Sequence, residues 1–148
     1  MEDAKLPSSL SSRDLAHLKA QGKKFIIPLD DDNETCNTRL LNYIKETGKK
    51  DSDIYNEIGL SRSTFNNFKK GKRISKYAVI AMGLVLNLTI DQINDLLNRQ
   101  DHGLNPRRNE DKVIIYCLKN DIRKIRKVNA ILKDNNCPEL SYLYSTIN

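Results

Sequence analysis

The sequence predicts an all-α protein: a helical core over residues 36–100, a C-terminal helical extension over 101–148 and a short N-terminal appendage over 1–35. Three observations carry that prediction. Between residues 36 and 134, apolar residues recur three and four positions apart, the spacing that lines one face of an α-helix. Ser61, Ser75 and Thr89 each stand just before such a run, where a hydroxyl accepts from the free N–H groups of a first helical turn. Gly48, Gly59 and Gly71 follow runs, and glycine enters the left-handed conformation that ends a helix at little cost.

The appendage contains SRDLAHLKAQG, a short predicted helix capped by Ser11 or Ser12, with Leu15 and Leu18 on one face and Gly22 as its stop. KKFIIPL then reads as a short extended piece ended by Pro28. The acidic run Asp30-Asp31-Asp32 reads as a solvated linker, because it lacks the ligand spacing of a metal site. The first core helix is predicted over 36–47, with Leu40, Leu41 and Ile44 on its apolar face. The second covers 51–58, capped by Asp51 or Ser52, with Ile54 and Ile58 four apart. The third covers 62–70 and turns Phe65 and Phe68 inward. The fourth follows Ser75 and is almost continuously apolar from Ala78 to Leu88, so it belongs at the centre of the core. The fifth follows Thr89 and carries Ile90, Ile93, Leu96 and Leu97.

DHGLNPRR, with its Gly and Pro, reads as a linker into the extension. Two helices are predicted there, over 109–119 and 122–134. The first groups Val113, Ile114, Cys117 and Leu118. The second groups Ile122, Ile125, Val128 and Leu132 on one face and Arg123, Lys124, Arg126 and Lys127 around the other. Pro138 ends the regular pattern and leaves SYLYSTIN as a mildly apolar tail.

Charge is unevenly placed. The chain carries +6 overall, yet residues 1–35 hold five basic and seven acidic side chains while 36–148 hold 20 and 12. A body at +8 suits a polyanion or an acidic partner, and it also describes a soluble domain that is simply basic. No apolar run approaches the ~18 residues of a membrane span, and the polar opening MEDAKLPSSL predicts no secretory signal. Cys36, Cys117 and Cys137 are odd in number and lack CxxC spacing, which suits neither a disulfide framework nor a zinc site and points to a reducing cytoplasm. Cys117 is expected as a core thiol, and Cys137, beside Pro138, as the more exposed one. HExxH, GxSxG and GxxxxGK[ST] are absent and the only histidines are His17 and His102, so no catalytic residues, metal or cofactor are expected.

The second and third helices are joined by Gly59-Leu60-Ser61 alone. Two short helices, a tight glycine turn, and Ile54, Ile58, Leu60, Phe65 and Phe68 facing inward make a helix-turn-helix arrangement. From about Leu40 to Leu97, most densely in DIYNEIGLSRSTFNNFKKGKRISKYAVIAMGLVLNLTIDQINDLL, the chain resembles the Cro/C1-type (XRE) helix-turn-helix family. The G-[apolar]-S-x-S-T-[apolar] core, the later Gly71, the apolar fourth helix and the L-x-[ST]-[apolar]-x-x-[apolar] ending carry the resemblance. It implies a five-helix Cro/C1-like core whose third helix enters the DNA major groove by its start. Carried over onto this chain, Arg62 and Ser63 take the first exposed positions and Asn67 lies on the same face one turn later. Arg can bond guanine, Asn adenine and Ser either. Thr64 and Asn66 fall near the groove wall, and Lys69, Lys70, Lys72 and Arg73 follow as phosphate neutralisers. The plain alternative is a solvated helix face. KKGKR, at 69–73, also resembles a nuclear-localisation string, although its setting favours phosphate contact.

Two residues depart from the family pattern: Tyr55 stands where a small residue usually faces the helix crossing, and Ile74 where Pro is common. Together with the pattern over 101–137, they resemble a branch with a two-helix C-terminal extension found in Gram-positive bacteria and their mobile elements. The resemblance implies a cytoplasmic, non-enzymatic transcriptional regulator of phage or mobile-element type that binds double-stranded DNA through the helix at 62–70, with a homodimer left open. The competing expectation is a protein-binding module on the same scaffold: an antitoxin, or an inhibitor of a nucleic-acid-handling complex such as an anti-CRISPR protein. Arg123, Lys124, Arg126 and Lys127 would then be either a solvated face or a second surface for a polyanion or an acidic partner.

Overall fold

The computed structural model describes Ile26 and residues 32–146. The chain divides into two units, Met1–Asn33 and Glu34–Asn148. The short helix after Ser11 or Ser12, most of KKFIIPL, and Asp30 and Asp31 lie outside the described residues.

The second unit is all-helical, with eight α-helices and no strand among the described residues. They are α1 (Cys36–Thr47), α2 (Asp51–Ile58), α3 (Arg62–Lys69), α4 (Lys76–Val85), α5 (Ile90–Asn98), α6 (Asn109–Lys119), α7 (Ile125–Asp134) and α8 (Leu140–Thr146). The hydroxyls of Thr35, Ser61, Ser75 and Thr89 cap α1, α3, α4 and α5, each accepting from the backbone N–H three residues on. At α5 the Gln92 side chain also accepts from the Thr89 N–H, so the cap is reciprocal. The start of α2 differs from expectation. Its N-cap is Lys50, which makes no side-chain cap bond, and Asp51 lies inside the first turn, where its charge suits the helix dipole.

Helix α4 is the hub. Every residue from Lys76 to Leu84 is buried, and the helix packs against α2, α5, α7 and α8. Each fully buried Leu, Ile or Met on it is worth about 1.5–3 kcal/mol, so this one helix carries a large share of the core. Gly83 permits its closest approach: a Cβ there would stand 2.6 Å from Cγ1 of the fully buried Ile93 on α5.

Residues 101–148 belong to the same unit as 36–100. The segment read as a linker is held at several points. The Leu104 N–H donates to Asn94 Oδ1 at 3.2 Å and the Asn105 N–H to Asp111 Oδ2 at 2.6 Å. Asp111, on α6, is fully buried and also accepts from Lys76 Nζ and from the Tyr77 hydroxyl, both at 2.6 Å. Arg108 Nε in turn donates to that hydroxyl at 3.1 Å.

Three further expectations are corrected. The helix predicted from 122 begins at Ile125, because the chain turns at residues 120–121, where Asp121 takes a left-handed φ of 55°, and residues 122–124 are not helical. The tail after Pro138 is helix α8, seated on α4 with Leu140 and Leu143 buried. Cys137 is buried like Cys36 and Cys117, in the turn after α7, where its N–H returns to the Leu132 carbonyl at 2.8 Å.

Candidate nucleic-acid interface

The candidate interface is built on α2, the turn Gly59-Leu60-Ser61 and α3. Gly59 takes φ 75°, a conformation that costs other residues steric strain, and the Leu60 N–H returns to the Tyr55 carbonyl at 2.8 Å. Leu60 is thereby swung into the core. On α3 the residues at i and i+3, Phe65 and Phe68, are fully buried with their rings 5.5 Å apart. Tyr55 lies half-buried at the α2–α3 crossing, tilted against Phe65 at 5.5 Å, so its ring slides past the crossing and packs there.

With both phenylalanines inward, α3 turns Arg62, Ser63, Thr64 and Asn66 to solvent, while Asn67 is half-buried. Among the described residues, the side chains of Arg62, Ser63 and Asn66 have no hydrogen-bond or ion-pair partner. Thr64 instead receives the Ser61 hydroxyl proton at 2.8 Å and belongs to the cap. The four expected phosphate neutralisers divide into two pairs. Lys70 and Lys72 are exposed and unpaired among the described residues. Lys69 reaches Asp51 Oδ2 at 2.7 Å. Arg73 turns away from α3, donating to the Gln100 carbonyl at 2.7 Å and standing 3.0 Å from His102 Nε2.

Two anchors that sequence reasoning missed hold the loop after α3. Asn37 Nδ2 donates to the carbonyls of Phe68 at 2.9 Å and Lys72 at 2.7 Å. The signal for it was a polar residue in register with buried Leu40 and Ile44 on α1. Gln100 Nε2 donates to the Ile74 carbonyl at 3.1 Å on the other side of the loop. A further pair, Lys49 and Lys50, precedes α2 and lines an open concavity of about 500 Å³ together with Tyr55, Arg62, Asn66 and Lys69, with Asp51 as its one carboxylate. A basic doublet just before a helix was the available signal.

The other basic cluster does not hold together as one surface. Lys124, Arg126 and Lys127 are exposed. Arg123 lies ahead of α7, donating from Nη1 to the Leu88 carbonyl at 2.6 Å and from Nε to Asp121 at 3.0 Å. Lys124 and Arg126 line an open groove with Lys133, but Glu57 and Glu139 line it too, so cations and carboxylates are interleaved there.

No group of three His, Cys, Asp or Glu side chains among the described residues is placed to hold a metal ion. Burial pushes the Cys36 thiol up to about 11 and raises those of Cys117 and Cys137, which keeps all three protonated near neutrality. No helix among the described residues is long and apolar enough to cross a membrane. No family model, curated protein or solved structure matches this chain.

Proposed function

We propose that the chain is a transcriptional regulator of phage or mobile-element type, built in the Cro/C1 (XRE) manner, that lays α3 in the major groove of double-stranded DNA. One observation carries the reading. Arg62, Ser63 and Asn66 stand outward without internal partners on a helix locked by its own buried face, beside a basic loop whose backbone Asn37 and Gln100 hold in place. Side chains that read bases need such a rigid mount, because a misplaced donor loses the bidentate geometry that discriminates one base from another. Within this reading Arg62 and Ser63 face the bases, the exposed Asn66 takes the base-reading place that the sequence had suggested for the half-buried Asn67, and Lys49, Lys50, Lys70 and Lys72 face phosphates. Arg73 and Asn37 shape the loop.

A mobility-shift assay on duplexes selected from a random pool tests it. Lys70→Ala or Lys72→Ala should weaken all sequences alike and lower the salt slope by about one unit. Arg62→Ala or Asn66→Ala should cost about 1–3 kcal/mol at the preferred site and relax the base preference there. Absence of duplex binding at low salt would overturn the reading.

A further inference from the structure

Helix α2 ends at Ile58, and the last carbonyls of any helix lack partners within it. At α2 the turn itself satisfies two of them. The Gly59 N–H returns to the Asn56 carbonyl at 3.3 Å and the Leu60 N–H to the Tyr55 carbonyl at 2.8 Å. The Ile58 carbonyl is met from elsewhere. The hydroxyl of Tyr144, on α8 and 86 positions away, donates to it at 2.8 Å. Burial raises the Tyr144 pKa well above that of an ordinary phenol, so the hydroxyl keeps its proton at any physiological pH. The Tyr144 side chain also lines a small cleft with Leu60 and Thr64, which are the turn residue plugged into the core and the partner of the α3 cap. The residue therefore binds the end of α2 directly and shares a cleft with the turn and with the first turn of α3, the joint that aims Arg62 and Ser63.

We propose that Tyr144 is a positioning residue for DNA reading: the C-terminal helix α8 clamps the end of α2 through the Ile58 carbonyl and so sets the angle at which α3 presents Arg62 and Ser63. The proposal rests on the DNA-binding reading above for its consequence, and on the joint alone for its mechanism. Loss of the hydroxyl removes the clamp and keeps the ring, so the packing of α8 on α4 persists.

The test is Tyr144→Phe in the full chain, read in two ways. Hydrogen–deuterium exchange should speed up by about fivefold at the amides of residues 58–64, the factor that one neutral hydrogen bond is worth, and stay unchanged in α6 and α7. On DNA, the ratio of affinity for the preferred duplex over a random duplex should fall by a similar factor, while affinity for the random duplex holds. Val128→Ala, in the buried face of α7, is the control. It should lower the melting temperature at least as much yet leave the specificity ratio untouched. Faster exchange spread over all helices, or no change at 58–64, would overturn the clamp. So would a specificity ratio that tracks melting temperature across both variants. If the unaltered protein binds no duplex, the DNA reading falls by that result alone, and the exchange data at residues 58–64 decide the clamp.

Discussion

Lys76 Nζ stands 2.6 Å from Asp111 Oδ2, with the two side chains only 9% and 0% exposed. The pair joins α4 of the core to α6 of the C-terminal segment, and the carboxylate also takes the Tyr77 hydroxyl and the Asn105 N–H. Desolvating two charges is costly, and here the cost is offset because the carboxylate accepts from three donors: an ammonium, a phenol and a backbone amide. This arrangement ties α4 to α6 within the unit that holds both segments.

Removal of that carboxylate should be severe. Asp111→Ala leaves an ammonium, a hydroxyl and an amide buried without their partner, and breaking a buried pair costs about 3–5 kcal/mol. Urea unfolding should show the loss in its midpoint. The double variant Lys76→Met with Asp111→Leu should recover part of it, because an apolar pair carries no desolvation penalty. A loss under about 1 kcal/mol for Asp111→Ala would mean that water replaces the carboxylate.

The basic residues around the start of α7 should behave unequally. Arg123 holds the Leu88 carbonyl at 2.6 Å with a side chain only 19% exposed, so Arg123→Ala should cost about 1.5–3 kcal/mol, as for a charge-assisted bond. Lys124→Glu with Lys127→Glu alters exposed side chains and should leave the melting temperature nearly unchanged. Thermal unfolding followed by circular dichroism separates the two cases, and equal effects would contradict the placement of Arg123.

Asp51 should act as a brake on DNA binding. Its carboxylate pairs with Lys69 at 2.7 Å, but both side chains are over a third exposed, so the pair adds only about 0–1 kcal/mol to stability. Asp51→Asn releases a lysine and removes a negative charge beside α3. Duplex affinity should rise although the melting temperature falls slightly, through the lost ion pair and helix-dipole contact, and the salt slope should steepen by about one unit. Unchanged affinity and slope would place this face away from the duplex.

Stability should fall on the alkaline side. Burial raises the Cys36 thiol from 9.0 to about 11, and nearby Arg99 only partly opposes it. Burial also raises the phenols of Tyr77 and Tyr144, and the bond to Asp111 raises that of Tyr77 further. An acid whose folded pKa is raised contributes stability that is complete below its unfolded pKa and is lost as pH climbs through the folded one. For Cys36 that window runs from about pH 9 to about pH 11. Urea midpoints should therefore decline from pH 9 upward and show no such decline between pH 7 and 9. A flat profile to pH 11 would mean that these groups are solvated when folded.

Much of the chain was legible as sequence because its governing interactions are local. Ser61, Ser75 and Thr89 cap helices through bonds to amides three residues away, and Gly59 ends α2 by its own freedom of φ. The inward Phe65 and Phe68 follow from helical spacing, and with them the outward Arg62 and Ser63. For the same reason the segments α1 to α6 fell close to their expected places. Partner and depth were decided only in three dimensions. Arg123 reads as one of four surface cations until the Leu88 carbonyl, 35 positions away, captures it. Cys137 reads as exposed but is buried in the folded chain, and α8 is stable only against α4, since a seven-residue helix cannot stand alone in water. Nothing in its local sequence singles out Asp111 among the charges at helix starts; it is buried because Lys76 and Tyr77 close around it. A hydrogen bond across three residues is encoded by those residues. One across 86, as between Tyr144 and Ile58, exists only because the intervening core brings the two groups together.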